Sequence, residues 1–306
     1  MMQCSTTQGN KPLRAVVLYT SGHIGSTVAL NLLDTAPEVE IVGMMRAKPI
    51  PVTKKGESTL KKYLHKIGYR FALTLWLQWW VARILIRLSS LLPNSHLALV
   101  PIMKIAKRKN IEVVECPNIN TPEAAEFIRK HNPDIIISAF FSQLIEKEVL
   151  HLPKHGVWNI HPGYLPKYRG ALSYFWVLKN NEKKAGVTIH KMDEGIDTGG
   201  ILERKEFRIP EKATQQQLLV EAALIGARMV QRLVRKLQKN GKLEYIDVSQ
   251  EPEQYFAMPT EADFNHYRKV RAYYRITDIA KIILVGIKNR RMRKSHSFKL
   301  VMKSFL

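Results

Sequence analysis

Asn159 and His161 lie two residues apart at the end of an apolar run, Gly156-Val-Trp-Asn-Ile-His161. Asp197 sits in a glycine-bounded loop, Asp193-Glu-Gly-Ile-Asp-Thr-Gly199. On a β-strand, residues two apart project from the same face, so Asn159 and His161 are expected to point together while Ile160 points away. An amide donor suits an oxyanion. An imidazole suits proton transfer or oxyanion stabilisation, and a carboxylate suits proton removal or orientation of the imidazole. No Ser or Cys occupies a nucleophile elbow, so the pattern does not suggest a covalent acyl-enzyme. Direct attack of a substrate amine on an activated carbonyl needs these groups and no nucleophile from the protein. A metal is the competing reading, with His151, His155, His161 and His190 near Asp193, Glu194 and Asp197. None of them falls at the helical i, i+4 spacing of H-E-x-x-H, so the expectation is no metal. Each residue taken singly also reads as a satisfied polar group or a turn former. Their occurrence together at strand ends is what points to a site.

The elements that must hold these residues alternate. Arg14–Tyr19 reads as a buried strand, Thr27–Leu33 as a helix and Glu40–Met45 as a second strand, which together make a right-handed βαβ unit. The connecting turn, Ser21-Gly-His-Ile-Gly-Ser26, has Gly22 and Gly25 but not the three glycines of the dinucleotide fingerprint, and it reads as a tight first turn. The alternation resumes at Ile111–Glu115. Thr121-Pro-Glu opens a capped helix running to His131. Strands follow at Asp134–Ser138, Gly156–His161, Gly186–Met192 and Ile201–Ile209. A helix is expected over Ala171–Asn180 and a long amphipathic one over Thr214–Lys239. The fold class is therefore α/β, Rossmann-like and doubly wound. Ligands in such sheets sit beyond the carboxyl ends of the strands, where Ala139-Phe-Phe-Ser-Gln143, His161 and Asp197 would lie.

Charge divides the chain differently. It carries 48 Lys/Arg against 26 Asp/Glu, a net +22. Residues 46–110 hold 14 basic and one acidic residue (+13), and residues 265–306 hold 12 and one (+11), which leaves the remainder at −2. Within the first basic segment, Phe71–Leu92 is an apolar helical run interrupted by Gln78, Arg83 and Arg87, and so a poor bilayer-spanning helix. Trp76, Trp80, Arg83 and Arg87 share one stripe on it, and Lys61, Lys62, Lys66 and Arg70 precede it. Two readings stand. Either the helix lies in an anionic membrane interface with its arginines reaching head groups, or it packs on its own domain or on a twin subunit. Cys4 and Cys116 are far apart and offer neither a disulfide framework nor a thiolate zinc site, which suits a reducing, cytoplasmic compartment. The polar residues Met1–Lys11 lack an apolar signal core, so no secretory signal is expected.

Three motifs then carry a resemblance: Asn159-Ile-His-Pro-Gly-Tyr-Leu-Pro-Lys-Tyr-Arg-Gly-Ala171, Gly186-Val-Thr-Ile189 and Met192-Asp-Glu-Gly-Ile-Asp-Thr-Gly199. In order and spacing they resemble the 10-formyltetrahydrofolate-dependent formyltransferase family. The resemblance covers roughly Arg14–Met45 and Ile111–Lys239. It implies a formyltransferase catalytic domain over residues 12–240, interrupted by a basic helical insertion at 46–110 and followed by a short basic extension at 241–306. It implies catalytic roles for Asn159 and His161 at the oxyanion, and for Asp197 in orienting His161 and helping to deprotonate the amine. It also implies 10-formyltetrahydrofolate as co-substrate, held near Phe141, Ser142, Gln143 and Leu144 and near Asp193, Glu194 and Gly195. Lys191 and the insertion depart from the family pattern. The acceptor is then a primary amine. The 56 residues after Gln250 fall short of the family's tRNA-gripping barrel, so the expected acceptor is an amino sugar on a nucleotide or lipid carrier, with methionyl-tRNA the alternative. A non-catalytic, membrane-held scaffold is the reading of another class. The expected surroundings are an anionic membrane surface met by residues 61–92 and 288–306, on its cytoplasmic side, or a homodimer.

Overall fold

The computed structural model describes residues 11–48, 64–65, 67–89, 99–272, 274–275 and 278. Lys61, Lys62, Lys66 and the basic segment 288–306 lie outside the described residues.

The chain begins with β1 (Leu13–Thr20), α1 (Ile24–Leu33) and β2 (Val39–Ala47), then a long helix α2 (Tyr69–Ser89) and a short α3 (Ile102–Lys109). β3 (Glu112–Glu115), α4 (Pro122–His131), β4 (Ile135–Ala139), α5 (Lys147–Leu150) and β5 (Val157–His161) follow. The remainder is β6 (Arg169–Gly170), α6 (Ser173–Lys179), β7 (Lys184–Lys191), β8 (Ile201–Arg208), α7 (Gln215–Asn240), β9 (Tyr255–Phe256) and α8 (Glu261–Val270). The central sheet has the order β3-β2-β1-β4-β5-β7-β8. Its first five strands are parallel, and the order reverses between β1 and β4, the place where open α/β sheets receive ligands. The structure refines the doubly wound expectation at one edge, because β7 pairs antiparallel with β5, and β8 antiparallel with β7. The loop between β7 and β8 is short, so the chain can only turn back on itself there.

Alternating side chains build the two layers. Ala15, Val17 and Tyr19 of β1 join Ile135 and Ile137 of β4 and Trp158 and Ile160 of β5 in the larger core, under α1 and α7. Val16, Leu18, Ile136 and Val157 face the other way, against Ala124 and Ile128 of α4 and Val149 of α5. Helix ends are set locally. The Thr121 hydroxyl accepts from Ala124 N at the start of α4, and Asn132 closes that helix in the left-handed conformation. Thr214 caps α7 in the same way, and Gly241 (φ +73°) ends it. Gly226 lets α7 cross close over β5, since a Cβ there would fall 2.3 Å from Ile160 Cγ2. That contact fixes the strand bearing Asn159 and His161 against the longest helix.

Residues beyond 240 enter the same core. Phe264 stacks on Phe71 of α2 at 4.5 Å between ring centroids, and Tyr267 stacks on Phe175 of α6 at 4.8 Å. β9 pairs with β6, and Gln254 N donates to Pro166 O while Arg169 N donates to Gln254 O. The loop that follows His161 is thereby laced to residues 254–256.

Candidate active site

Asn159, His161 and Asp197 meet at the end of β5. Asn159 Nδ2 lies 3.4 Å from Asp197 Oδ1, and His161 Nδ1 lies 3.4 Å from the same oxygen. The second carboxylate oxygen, Oδ2, accepts from Gly170 N at 2.8 Å. Asp197 reaches this position in the left-handed region, φ +53°, where Asp and Asn are the least strained non-glycine residues. Gly170, at φ +98°, brings its own N–H to the carboxylate; a Cβ on it would strike Phe256 O at 2.2 Å.

His190 is the fourth member, which the sequence reading placed only in the metal alternative. It sits directly opposite Asn159 in the antiparallel β5–β7 pair, so both side chains rise on one face. Asn159 Nδ2 lies 3.1 Å from His190 Nε2, and His190 Nε2 lies 3.4 Å from Asp197 Oδ1. The β7–β8 register shifts between Ile189 and His190, a local irregularity beside the site. His190 Nδ1 is buried with no hydrogen-bond partner among the described residues. Among the described residues no group of three or more His, Cys, Asp or Glu is arranged to hold a metal ion.

The electrostatics follow from this packing. His161 is buried, and its Nε2 lies 2.6 Å from Tyr168 O, which places the ring proton on Nε2. Nδ1 then faces the carboxylate. Burial lowers the proton affinity of His161 below the ordinary histidine value, against the pull of Asp197 in the other direction. Burial alone would raise Asp197. His161, His190 and the Gly170 N–H outweigh it and hold the carboxyl well below the usual carboxylate range. The result is an ionised Asp197 against a neutral imidazole, which gains an ion pair the moment it takes a proton at Nδ1.

The residues expected to hold the co-substrate fall into two groups. Asp193, Glu194 and Gly195 line a cavity of about 470 Å³ together with Lys154, Gly156 and Lys191, a size within the range of small-molecule sites. Asp193 Oδ1 accepts from Gly195 N and Thr198 Oγ1, which shapes the loop. Phe141 to Leu144 do not line that cavity. Phe141, like Met192, packs against the smaller core, Ser142 and Leu144 are exposed, and the Gln143 amide is spent on structure. Gln143 Oε1 accepts from Ile119 N at 2.7 Å, and Nε2 donates to Cys116 O at 2.8 Å. The Asp193–Asp197 loop joins the cavity to the Asn159–His161 pair. Lys191 lays its chain over Gly156 at the cavity wall.

Residues 97–232 match the sequence model of the family described as formyl transferase. The chain is 39% identical over 143 residues to methionyl-tRNA formyltransferase of Thermotoga neapolitana, covering 47% of this chain and 45% of that protein. It is 40% identical over 126 residues to methionyl-tRNA formyltransferase of Clostridium tetani, 41% of each. The chain thus spans less than half the length of these curated relatives. Among solved structures, glycinamide ribonucleotide transformylase 1 of Symbiobacterium toebii superposes with a TM-score of 0.52 at 15% identity, over 78% of this chain and 96% of that one. An N-formyltransferase of Helicobacter canadensis, solved with folinic acid and dTDP-3-aminofucose, gives 0.51 at 17% identity, over 86% and 80%. At these identities the likeness establishes a shared fold.

Proposed function

We propose that this chain, whose residues 97–232 carry a formyl transferase domain, moves a formyl group from 10-formyltetrahydrofolate to a primary amine. The observation that carries the reading is the convergence of Asn159 and His161 on one carboxylate oxygen of Asp197 at the buried end of β5. The folate supplies the activated formyl carbon when bound. The protein's own residues supply the rest. Asn159 offers an amide N–H to an oxyanion. His161 takes the attacking amine's proton at Nδ1, Asp197 stabilises the imidazolium so formed, and that proton goes to the folate nitrogen as its bond to the formyl carbon breaks. Asp197 also keeps its Oδ2 on Gly170 N, so the loop holds its shape while the charge changes hands. No side chain is asked to become covalently attached to the formyl group.

The cavity walled by Asp193, Glu194 and Gly195 fits the co-substrate in size, with apolar walls from Leu150, Pro153 and Met192 and a few polar groups. For the acceptor we favour an amino sugar on a nucleotide or lipid diphosphate. The described residues after 250 support this reading, because they fold back to brace the 162–171 loop and pack on α6 and α2. The identity to methionyl-tRNA formyltransferases gives methionyl-tRNA as the second reading. An acceptor screen separates them: 10-formyltetrahydrofolate is offered with nucleotide-linked amino sugars, lipid-linked amino sugars and methionyl-tRNA, and formylated product is detected by mass. Formylation of methionyl-tRNA alone would decide for the second reading. No product from any amine would defeat the enzyme reading.

A further inference from the structure

Helix α2 has two unlike faces. Phe71, Ala82 and Ile86 are buried against the domain. Phe71 is held between Phe175 and Phe264, and Trp79 Nε1 donates to Ser21 O at 2.9 Å, just past the end of β1. Half a turn away, Leu73, Trp76, Leu77, Trp80, Ile84 and Leu88 are each 40–56% exposed. At about 100° per residue these six fall within roughly a third of the helix circumference, and with Tyr69 they form a stripe about 28 Å long. Scattered exposed apolar residues need no explanation, but a continuous stripe of large ones marks a surface that meets something apolar.

We infer that this outer face of α2 docks on an anionic lipid bilayer, lying in the plane of the interface. Three observations select this occupant. First, the helix is long and apolar enough to cross a membrane, but crossing would strip Phe71 and Trp79 from their partners on the domain, whereas lying flat keeps every one of those contacts. Second, α2 carries three arginines, Arg70, Arg83 and Arg87, and no acidic residue. A second copy meeting this face about a two-fold axis would set those arginines against their own copies, while an anionic surface supplies the opposite sign. Third, the stripe is rich in Trp and Tyr, side chains that settle at head-group depth; Arg70 lies exposed at its margin and Arg87 exposed within it near the helix end. Arg83 stacks on Trp79, 4.4 Å from the ring centroid, at the boundary between the two faces. Docked this way, the helix holds the carboxyl end of β1 toward the lipid side.

Cosedimentation with vesicles tests the inference without acceptor or folate, so its outcome is separate from that of the formyl-transfer reading. Vesicles are made of phosphatidylcholine alone, or of three parts phosphatidylcholine to one part phosphatidylglycerol. The intact chain should pellet with the anionic vesicles at low salt and be released as salt rises. Leu73→Glu/Leu77→Glu changes two exposed positions and should weaken binding by at least about tenfold with an unaltered melting curve. Brominated lipid should quench tryptophan emission of the wild type, and Trp76→Phe/Trp80→Phe should remove most of that quenching. Three results would overturn the inference: failure of the wild type to bind anionic vesicles at low salt, equal binding by the Glu variant, or a wild-type dimer that the Glu variant converts to monomer while neither binds lipid. The last would assign the face to a second copy of the chain.

Discussion

Asp197→Asn isolates the charge at the candidate site with little change of shape. Asn tolerates the left-handed conformation of residue 197, and its side-chain oxygen can still accept from Gly170 N. What disappears is the negative charge 3.4 Å from His161 Nδ1. With an effective dielectric of about 20, a unit pair at that separation is worth about 5 kcal/mol. That stabilisation exists only when His161 is protonated, so it is lost from the step in which the imidazole carries the proton. Five kcal/mol corresponds to between three and four decades of rate, and the amide dipole that remains recovers part of it. The expected loss in kcat is about 1,000-fold. The KM for 10-formyltetrahydrofolate should stay within about twofold, because Asp193 to Gly195 rather than Asp197 line the cavity. The assay follows release of tetrahydrofolate by absorbance at saturating acceptor, with circular dichroism melts as the control on folding. A folded Asn variant within tenfold of wild-type kcat would refute the assignment of Asp197 as the partner of a protonated His161.

Other expectations follow from the same geometry. Because burial holds His161 below the ordinary histidine value and the neutral ring must accept the proton, kcat/KM should fall as pH drops through a value below 6.5; a profile that already falls above 6.5 would count against it. His23 is pushed down to about 4 by burial at the start of α1. A depressed histidine contributes stability above its unfolded pKa that is lost as pH falls toward the folded one. The protein should therefore lose at most about 3 kcal/mol on this account between pH 6.5 and 4, and less in proportion to the ring's partial exposure. His23→Asn keeps a capping side chain and should flatten that part of a melt-versus-pH series. Gly170→Ala would drive a Cβ onto Phe256 O and draw the β6 backbone off Asp197; activity should drop at least about 100-fold with a lower melting temperature. Gln143→Leu leaves Ile119 N and Cys116 O without their partner, which should cost about 1–3 kcal/mol, read as a lower melting temperature.

Much of the fold was legible because strands buried on both faces read as apolar runs. Ile135–Ala139 and Val157–His161 stand within a residue of where the sequence put them. The cap at Thr121 likewise announced its helix, and amphipathic periodicity announced the long one that Thr214 turns out to cap. The pairing of Asn159 with His161 on one strand face came from the two-residue period alone. The place of His190 did not, because it depends on the antiparallel register between β5 and β7, which no local pattern encodes. The β6–β9 pairing was invisible for a similar reason: two residues on each strand, far apart in the chain, make too short a run to show a period. Gln143 read as a ligand-loop residue, yet its amide is committed to the backbone at Cys116 and Ile119; only the folded loop reveals that. Helix α2 packs one face on the domain, as one of the two readings for it expected, and turns the other outward.

The central claim is that Asn159, His161 and Asp197 act as one unit in formyl transfer. Single-turnover rates with 10-formyltetrahydrofolate and the amine identified in the acceptor screen test it directly, in wild type, His161→Ala, Asp197→Asn and the double variant. The account predicts that each single change abolishes most of the rate and that the double variant is no slower than the worse single one. A double variant slowed by the product of two independent effects, or a His161→Ala protein that still transfers formyl at near wild-type rate, would contradict it.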